Sequence, residues 1–573
     1  LGVNMWRGVS RAWVDALLPR LSTHVASPAQ RDLARRLLLT AATAPRGQGE
    51  PGGLLAERLR LLAELGDLDG AARLLDAAPA QLRRSHLNRV EADLRLRSGD
   101  LPRFCALVAN RVEGDADAFW QKGLVFCQAQ AGRHDQAALG AALLRELGDD
   151  DPAFHLLLRA LRDKTVDLNG LVPATPLHLA MLRAADVALP DSLMASGDPA
   201  HLAAVAGHAA LSSDRRLDAA ERAFAAGTLD AGGLAGAYAA TAFTAEERAS
   251  PVTRAEEEGG PLARALLYHA ARAETVPTAK AEAMATALEM ARADGRYGAA
   301  AAAFGGLLRT LSATDSLAWF APVAARALIV SGDPAAAADW VLVLRRTAPG
   351  DPDLEQARQA LAPLARVAGA GDPGDWDWDA LADRLAGESA ERMAERTAGG
   401  TGDGPVIVPQ ASLSRLLTLF AALDETPPER LWIRSLADDG GRAAAPLHPA
   451  LWARLRDLAR PSRRGVAPVA AVPVLTGEQA ATPVTALPET LSGAVPVAID
   501  VLPPPQGAVA ATAADATEGR GDAALAALVA LGAGGPAQAG PVVLDTVLRA
   551  LASAGLEADA RRLAVEAAVS AGL

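Results

Sequence analysis

Lysine, aromatic rings and cysteine are all scarce in this sequence, and each scarcity excludes something. Lysine occurs only at Lys122, Lys164 and Lys280, so arginine carries nearly all of the positive charge. Acidic residues still outnumber basic ones, and the formal net charge is −12. Binding nucleic acid requires many cations to neutralise phosphates, so this balance argues against a nucleic-acid partner. Aromatic residues make up 4% of the chain, which leaves a core built from small side chains. Two cysteines, Cys105 and Cys127, are too few for a disulfide framework or a cysteine zinc site. Long apolar runs are also missing. The longest uncharged stretch, 523–544, is interrupted by Gly532, Gly534, Gly535 and Pro536; it reads as two helix segments around a turn, with no membrane span.

What the sequence has in abundance is alanine, the strongest helix former, in a chain of 573 residues that is too long for one core. A short motif recurs through it: an apolar helix end, a glycine, often Asp or Arg, then an alanine-rich restart. It stands as ELGDLDGAARLL at Gly66, RSGDLPRFCALV at Gly99 and QAGRHDQAALGA at Gly132, two successive spacings of 33 residues. It returns at Gly295, Gly332 and Gly555. A glycine at this period suits a stack of helical hairpins, because it ends a helix in a conformation that residues with a Cβ avoid. The expected fold is all-α: a helical-hairpin solenoid with an extended Pro-rich segment and a C-terminal helical hairpin.

The repeats resemble the tetratricopeptide family. Aligned on Gly295, Tyr297, Ala300, Phe304 and Leu307 fall at the family's turn and second-helix positions; aligned on Gly332, Ala337, Val341, Leu344 and the closing Pro349 do so. Met284, Ala287, Leu288 and Ala291 stand at the first-helix positions near Gly295. The segments WRGVSRAWVDALLPRL and FWQKGLVFCQAQAGRHDQAALGAALLREL are in addition similar to alphaproteobacterial proteins labelled "antifreeze glycopeptide". The label follows composition: Ala-Ala-Thr occurs as four isolated copies, at 41–43, 239–241, 480–482 and 510–512, whereas ice binding by such glycopeptides uses long tandem arrays.

The expected organisation is an N-terminal helix pair over 1–44, with helices at Trp6 to Leu21 and Pro28 to Thr43, followed by repeats over 54–163. A degenerate helical region then covers 164–260, and further repeats cover 261–366. A Gly/Asp-rich break over 367–411 holds one short helix. A helical segment over 412–460 carries Leu413, Leu416, Leu417 and Phe420 on one face. Nine prolines in 461–505 make 461–520 an extended segment, and 521–573 closes as a helical hairpin.

Motifs for chemistry are weak. Gly369-Ala-Gly371-Asp-Pro-Gly374 matches a dinucleotide fingerprint, but the segment before it has a helical pattern where the motif needs a strand. Asp375-Trp-Asp377-Trp-Asp379 opens like a calcium loop, but Ala380 and Ala386 occupy the positions of its Gly and bidentate Glu. A helix start with carboxylates favoured by the helix dipole is the better reading. His201 and His208 could share a helix face without a carboxylate at ligand spacing. No metal, cofactor or catalytic residue is assigned, and the chain is read as a non-enzyme.

The resemblance implies a protein- or peptide-binding scaffold whose first helices line a concave groove. The groove positions carried over at Gly66, Gly99 and Gly132 include Arg60, His86, Arg89, Asp93, Arg97, Phe119, Lys122, Phe126 and Gln130. This basic patch with two aromatics suits an acidic or C-terminal segment. The competing expectation is that these cations only lie over an alanine-rich surface. Charge reversal at Arg89 and Lys122 is expected to leave the fold intact. The alternative function is a hydrolase or transferase with a site in 164–260 or 400–470. A soluble bacterial protein of the cytoplasm or periplasm fits. The chain begins at Leu1, with its first Met at position 5, so an upstream segment or a removed signal peptide is compatible with it.

The cysteines give the sharpest expectation. Their midpoint is residue 116, inside the turn-like Gly114-Asp115-Ala116-Asp117. Two antiparallel helices would hold them at one height, with Cα atoms within about 9 Å. Small buried core residues are the favoured reading, and a disulfide, open to an oxidising compartment, is the sharper one.

Overall fold

The computed structural model describes residues 1–79, 87–112, 117–189, 191–208, 211–372, 376–385, 413–438, 449–459 and 519–573. Among these every regular element is helical, with one isolated bridge between Ser10 and Arg46. The Pro-rich expectation at 461–520 falls outside the described residues up to residue 518, and its end at Arg520 is already helical; most of 367–411 and His86 also fall outside them.

The N-terminal pair is α1 (Arg11–Leu17), followed by one 3-10 turn, and α2 (Pro28–Leu39). The first helix starts later than the apolar pattern suggests. Gly8 turns the chain with φ +81°, and Ser10 then caps α1 by accepting the Trp13 amide. Ser27 caps α2 in the same way through the Gln30 amide, with Pro28 in the first turn.

Hairpins follow: α3 (Gly53–Glu64) with α4 (Leu68–Asp76), α5 (Asn88–Ser98) with α6 (Leu101–Arg111), and α7 (Ala118–Gln130) with α8 (His134–Glu146). Gly66, Gly99 and Gly132 lie between the paired helices with φ of +79°, +75° and +75°. The helix end is built the same way each time. At Gly66 the glycine amide donates to the Ala63 carbonyl and the Asp67 amide to that of Leu62, which satisfies the end of α3. The Asp67 side chain then accepts the Gly70 amide and starts α4. Asp100 and Asp333 act likewise at their turns. A Gly-Asp dipeptide therefore stops one helix and starts the next.

After α8 the stacking breaks. Helix α9 (Pro152–Arg162) packs on α7, and α10 (Pro176–Ala185) packs on α5, α7 and α9. Then come α11 (Pro199–Ala206), α12 (Ser213–Ala226), α13 (Ala231–Ala240), α14 (Pro251–Glu258) and α15 (Gly260–Ala273). Hairpins return as α16 (Pro277–Ala293) with α17 (Tyr297–Leu308), and α18 (Ala321–Val330) with α19 (Pro334–Thr347), turning at Gly295 and Gly332. Helix α20 (Pro352–Ala368) ends on Gly369, so the dinucleotide-like motif follows a helix. Asp377 accepts the amides of Asp379 and Ala380 at the next helix start, which is where the acidic run was expected to lie. The chain ends with α21 (Leu413–Ala422), α22 (Glu429–Asp438), α23 (Pro449–Ala459), α24 (Arg520–Leu531) and the hairpin α25 (Pro541–Ser553) and α26 (Glu557–Ser570), turning at Gly555. Leu413, Leu416, Leu417 and Phe420 are all buried.

Two cores result. A smaller one holds Leu96, Phe104, Phe126, Phe154 and Met181 and belongs to the lobe from α5 to α12. The larger one takes the first helices, α12 onward and the C-terminal helices together. Helix α2 packs between α24 and α26. Asp32 pairs with Arg562 at 2.7 Å, Arg36 with Asp559, and the Trp13 indole donates to Asp522 at 3.0 Å. Glu566 accepts the Ala29 amide at the start of α2; burial pushes its pKa up against Ser27, that amide, Arg31 and Arg562.

Cys105 on α6 and Cys127 on α7 are bonded as a disulfide, with Cα atoms 5.7 Å apart. The equal-height geometry holds, but the favoured reading of two free, buried core thiols does not: the sulfurs are bonded, and Cys105 is only half-buried.

Two outcomes follow. A Cβ at Gly132 would meet nothing within 4 Å, so Gly132→Ala should cost only the left-handed backbone penalty, about 1–2 kcal/mol. At Gly66 a Cβ would sit 3.3 Å from the Thr228 carbonyl oxygen, so Gly66→Ala should cost more in denaturant titrations of the two variants. Native protein should show no reactive thiol. Replacing both cysteines by Ala should lower the stability of the α6–α7 pair by about 3 kcal/mol by hydrogen exchange, as expected for a 22-residue closure.

Candidate functional site

The residues expected to line a groove sit on α3, α5 and α7, and the structure distributes them unequally. Arg60 pairs with Glu57 and Glu64 on its own helix at 2.6 and 2.5 Å. Arg89 lies 3.5 Å above the Phe119 ring and pairs with Asp117 at 3.1 Å. Asp93 lies beneath, where burial pushes its pKa up against the pull of Arg89 and Arg97. Phe119 is buried edge-on against Trp120. Gln130 is exposed at the end of α7. Arg89, Asp93 and Phe119 are thus brought together, while Arg60 is apart from them on α3.

Lys122 and Phe126 depart from the expectation of an open basic surface. Phe126 is fully buried, and the Lys122 ammonium lies 2.7 Å from Asp149 and 2.8 Å from Asp151, above the Phe154 ring. The cause is the chain itself. Helices α9 and α10 pack on α5 and α7, and Arg183 of α10 donates to the carbonyl oxygens of Leu96 and Arg97 at the end of α5. His178 of α10 meets Asp151 through Nε2 at 3.0 Å and accepts the Ala174 amide at Nδ1. Burial works against both charges of the Lys122–Asp151 pair. Hydrogen bonds to Asp149 and Asp151 nevertheless raise the Lys122 pKa, and Lys122, the Phe154 amide and His178 hold Asp151 down at about 2. Sequence reasoning missed this cover because nothing local in 149–185 states which helices it will lie against.

Other titratable groups are tied into the fold. Arg264 grips Glu221 with two hydrogen bonds of 2.8 and 2.7 Å, and the Tyr238 hydroxyl donates to the same carboxylate at 2.6 Å, all three fully buried. His201 bonds the Pro173 carbonyl oxygen and Ser196, and His208 the Val187 carbonyl oxygen. Among the described residues no group of His, Cys, Asp and Glu is placed to hold a metal, and no helix is long and apolar enough to cross a membrane.

The feature that stands open is on α8. This helix buries Ala137, Ala141 and Leu144 against α7, and it leaves Leu139 and Leu143, with Leu147 just after its end, exposed by 74%, 53% and 68%. Stacking does not require leucine there. At the repeat spacing of 33 the positions of Leu139 and Leu143 hold exposed Arg73 and Ala77 on and just after α4, and exposed Ala106 and Asn110 on α6. Laying the three repeats in register would have shown this ridge from sequence alone.

The Lys122 cluster makes a pH-dependent prediction. Because the folded pKa of Asp151 is depressed, its stabilisation is present above the ordinary carboxylate range and lost as pH falls from about 4 toward 2. Lys122→Met, which strands two carboxylates, should destabilise the lobe by about 2–4 kcal/mol at pH 7 and much less near pH 2. Charge reversal at Lys122 should likewise disturb the fold, as chemical denaturation would report.

In comparisons with known proteins, the chain matches no family model, no curated protein and no solved structure.

Proposed function

We propose that the protein is a non-catalytic, protein-binding scaffold of stacked helical hairpins. The observation that carries this reading is the leucine ridge of α8. Three large apolar side chains on one face of an anchored helix cost solvation free energy while they stay in water, and burying each would return about 1.5–3 kcal/mol. The inner face of α5 and α7, where the family resemblance would put a ligand, is largely taken up by α9 and α10. Binding is therefore assigned to the outer face of the lobe.

A photo-cross-linking residue at exposed Gln136, beside the ridge, should yield one discrete protein adduct in extracts of the native host, and the same residue at Asn110 should not. Leu139→Gln with Leu143→Gln should abolish the adduct while shifting stability by less than about 0.5 kcal/mol per site. An adduct that persists in this double variant would overturn the reading.

A further inference from the structure

The ridge has a definite shape. Residues four apart on a helix are offset by about 40° and 6 Å, so Leu139, Leu143 and Leu147 form one continuous row about 12 Å long. Rows of this spacing are the ones that fit into the grooves of a second helix. The row is held rigidly outward, because the opposite face of α8 is packed on α7. Gly140 lies so close to α7 that a Cβ there would sit 2.7 Å from Val125. The helix cannot rotate to hide its leucines without breaking that approach.

The edges of the row carry charge. Asp135 and Glu146 flank it on one side, within about 20–40° of Leu139 around the helix, and Asp150 follows in the chain after the turn at Gly148. All three are exposed. Among the described residues no cation pairs with any of them, in contrast to Asp149 and Asp151, which share Lys122. A second copy of the chain is a poor occupant. Antiparallel self-pairing would set the Asp135–Glu146 edge against itself, and each copy carries a net charge of −12.

We propose that the Leu139–Leu143–Leu147 ridge docks a basic amphipathic helix of a partner protein. That helix lays apolar side chains along the row and sets Lys or Arg beside Asp135 and Glu146. This assignment rests on the scaffold reading and adds the partner's chemistry to it. The binding mode is helix on helix, with apolar anchors at i, i+4 and i+8 giving affinity and the basic edge giving orientation.

The test uses the full chain and three labelled helical peptides. One carries a leucine row with a lysine edge, the second the same row with a glutamate edge, and the third the lysine edge with the leucines replaced by glutamine. Fluorescence anisotropy should show the first peptide binding at least about tenfold more tightly than either of the others, with affinity falling as salt rises. Leu139→Gln with Leu143→Gln should weaken it at least about tenfold, with an unchanged melting curve. Asp135→Asn with Glu146→Gln should weaken it less and flatten the salt dependence.

Equal binding of the lysine- and glutamate-edged peptides through the same leucines would overturn the partner chemistry and leave the scaffold reading standing. Binding of the lysine-edged peptide that ignores the leucine substitutions would overturn the site. Sedimentation of the native chain as a dimer that Leu143→Gln dissociates would make the occupant a second copy. Leucine-dependent binding to anionic phospholipid vesicles would make it a lipid surface. Either result overturns the proposal, whereas failure of the Gln136 adduct bears on the scaffold reading alone.

Discussion

The reversal of the chain at a glycine with positive φ is the constraint on which the hairpins depend. Each helix must end with its last carbonyls satisfied and its successor running back alongside. At Gly66, Gly99 and Gly132 the glycine amide and the amide after it close those carbonyls. The left-handed conformation disfavours any residue with a Cβ by about 1–2 kcal/mol. Where Asp follows, as at Asp67, Asp100 and Asp333, its side chain also caps the next helix. Alanine completes the device, because it lets helices approach closely. Ala281, Ala287, Ala300, Ala324 and Ala327 are all fully buried in the larger core.

Charges then choose among the packings that so uniform an interior would allow. Alanine faces are nearly interchangeable, and a core made of them specifies register poorly. Arg264 with Glu221 and Tyr238 fixes α12, α13 and α15 to one another, because misplacing any one leaves a buried polar group unpaired. The same logic holds where α2 meets α26, through Asp32 with Arg562 and Arg36 with Asp559. Cys105 with Cys127 serves as a covalent counterpart in the smaller lobe.

The lobe is where the repeat plan is put to use. Its first helices turn an aromatic and charged face inward, and α9 and α10 cover that face with His178, Asp151 and Arg183 making the polar contacts. Covering the inner face leaves the second helices as its exposed surface. There α8 carries leucines in place of the arginine, asparagine and alanines at corresponding positions of the preceding repeats. The ridge is therefore a property of one repeat, set on a helix whose other face is anchored.

The sequence by itself determined what local chemistry can determine. The glycines and their 33-residue spacing located the hairpins, Ser27-Pro28 located the start of α2, and the cysteine midpoint placed both sulfurs at one height. It was less reliable at Trp6–Leu21, where an apolar pattern ran through a turn made by Gly8. Part of the candidate site was legible too. Arg89 and Phe119 do meet, and the leucine row was present in QAALGAALLREL for any comparison in register. Only the tertiary structure decided which faces stay open. Phe126 and Lys122 have the residue types of a binding groove, and their burial and pairing come from helices about 30 to 60 residues further along the chain. The meeting of α2 with α26 spans more than 500 residues and is equally invisible to periodicity. Periodicity fixes which side of a helix is apolar, but the identity of the surface that covers it is settled by contacts between segments distant in sequence.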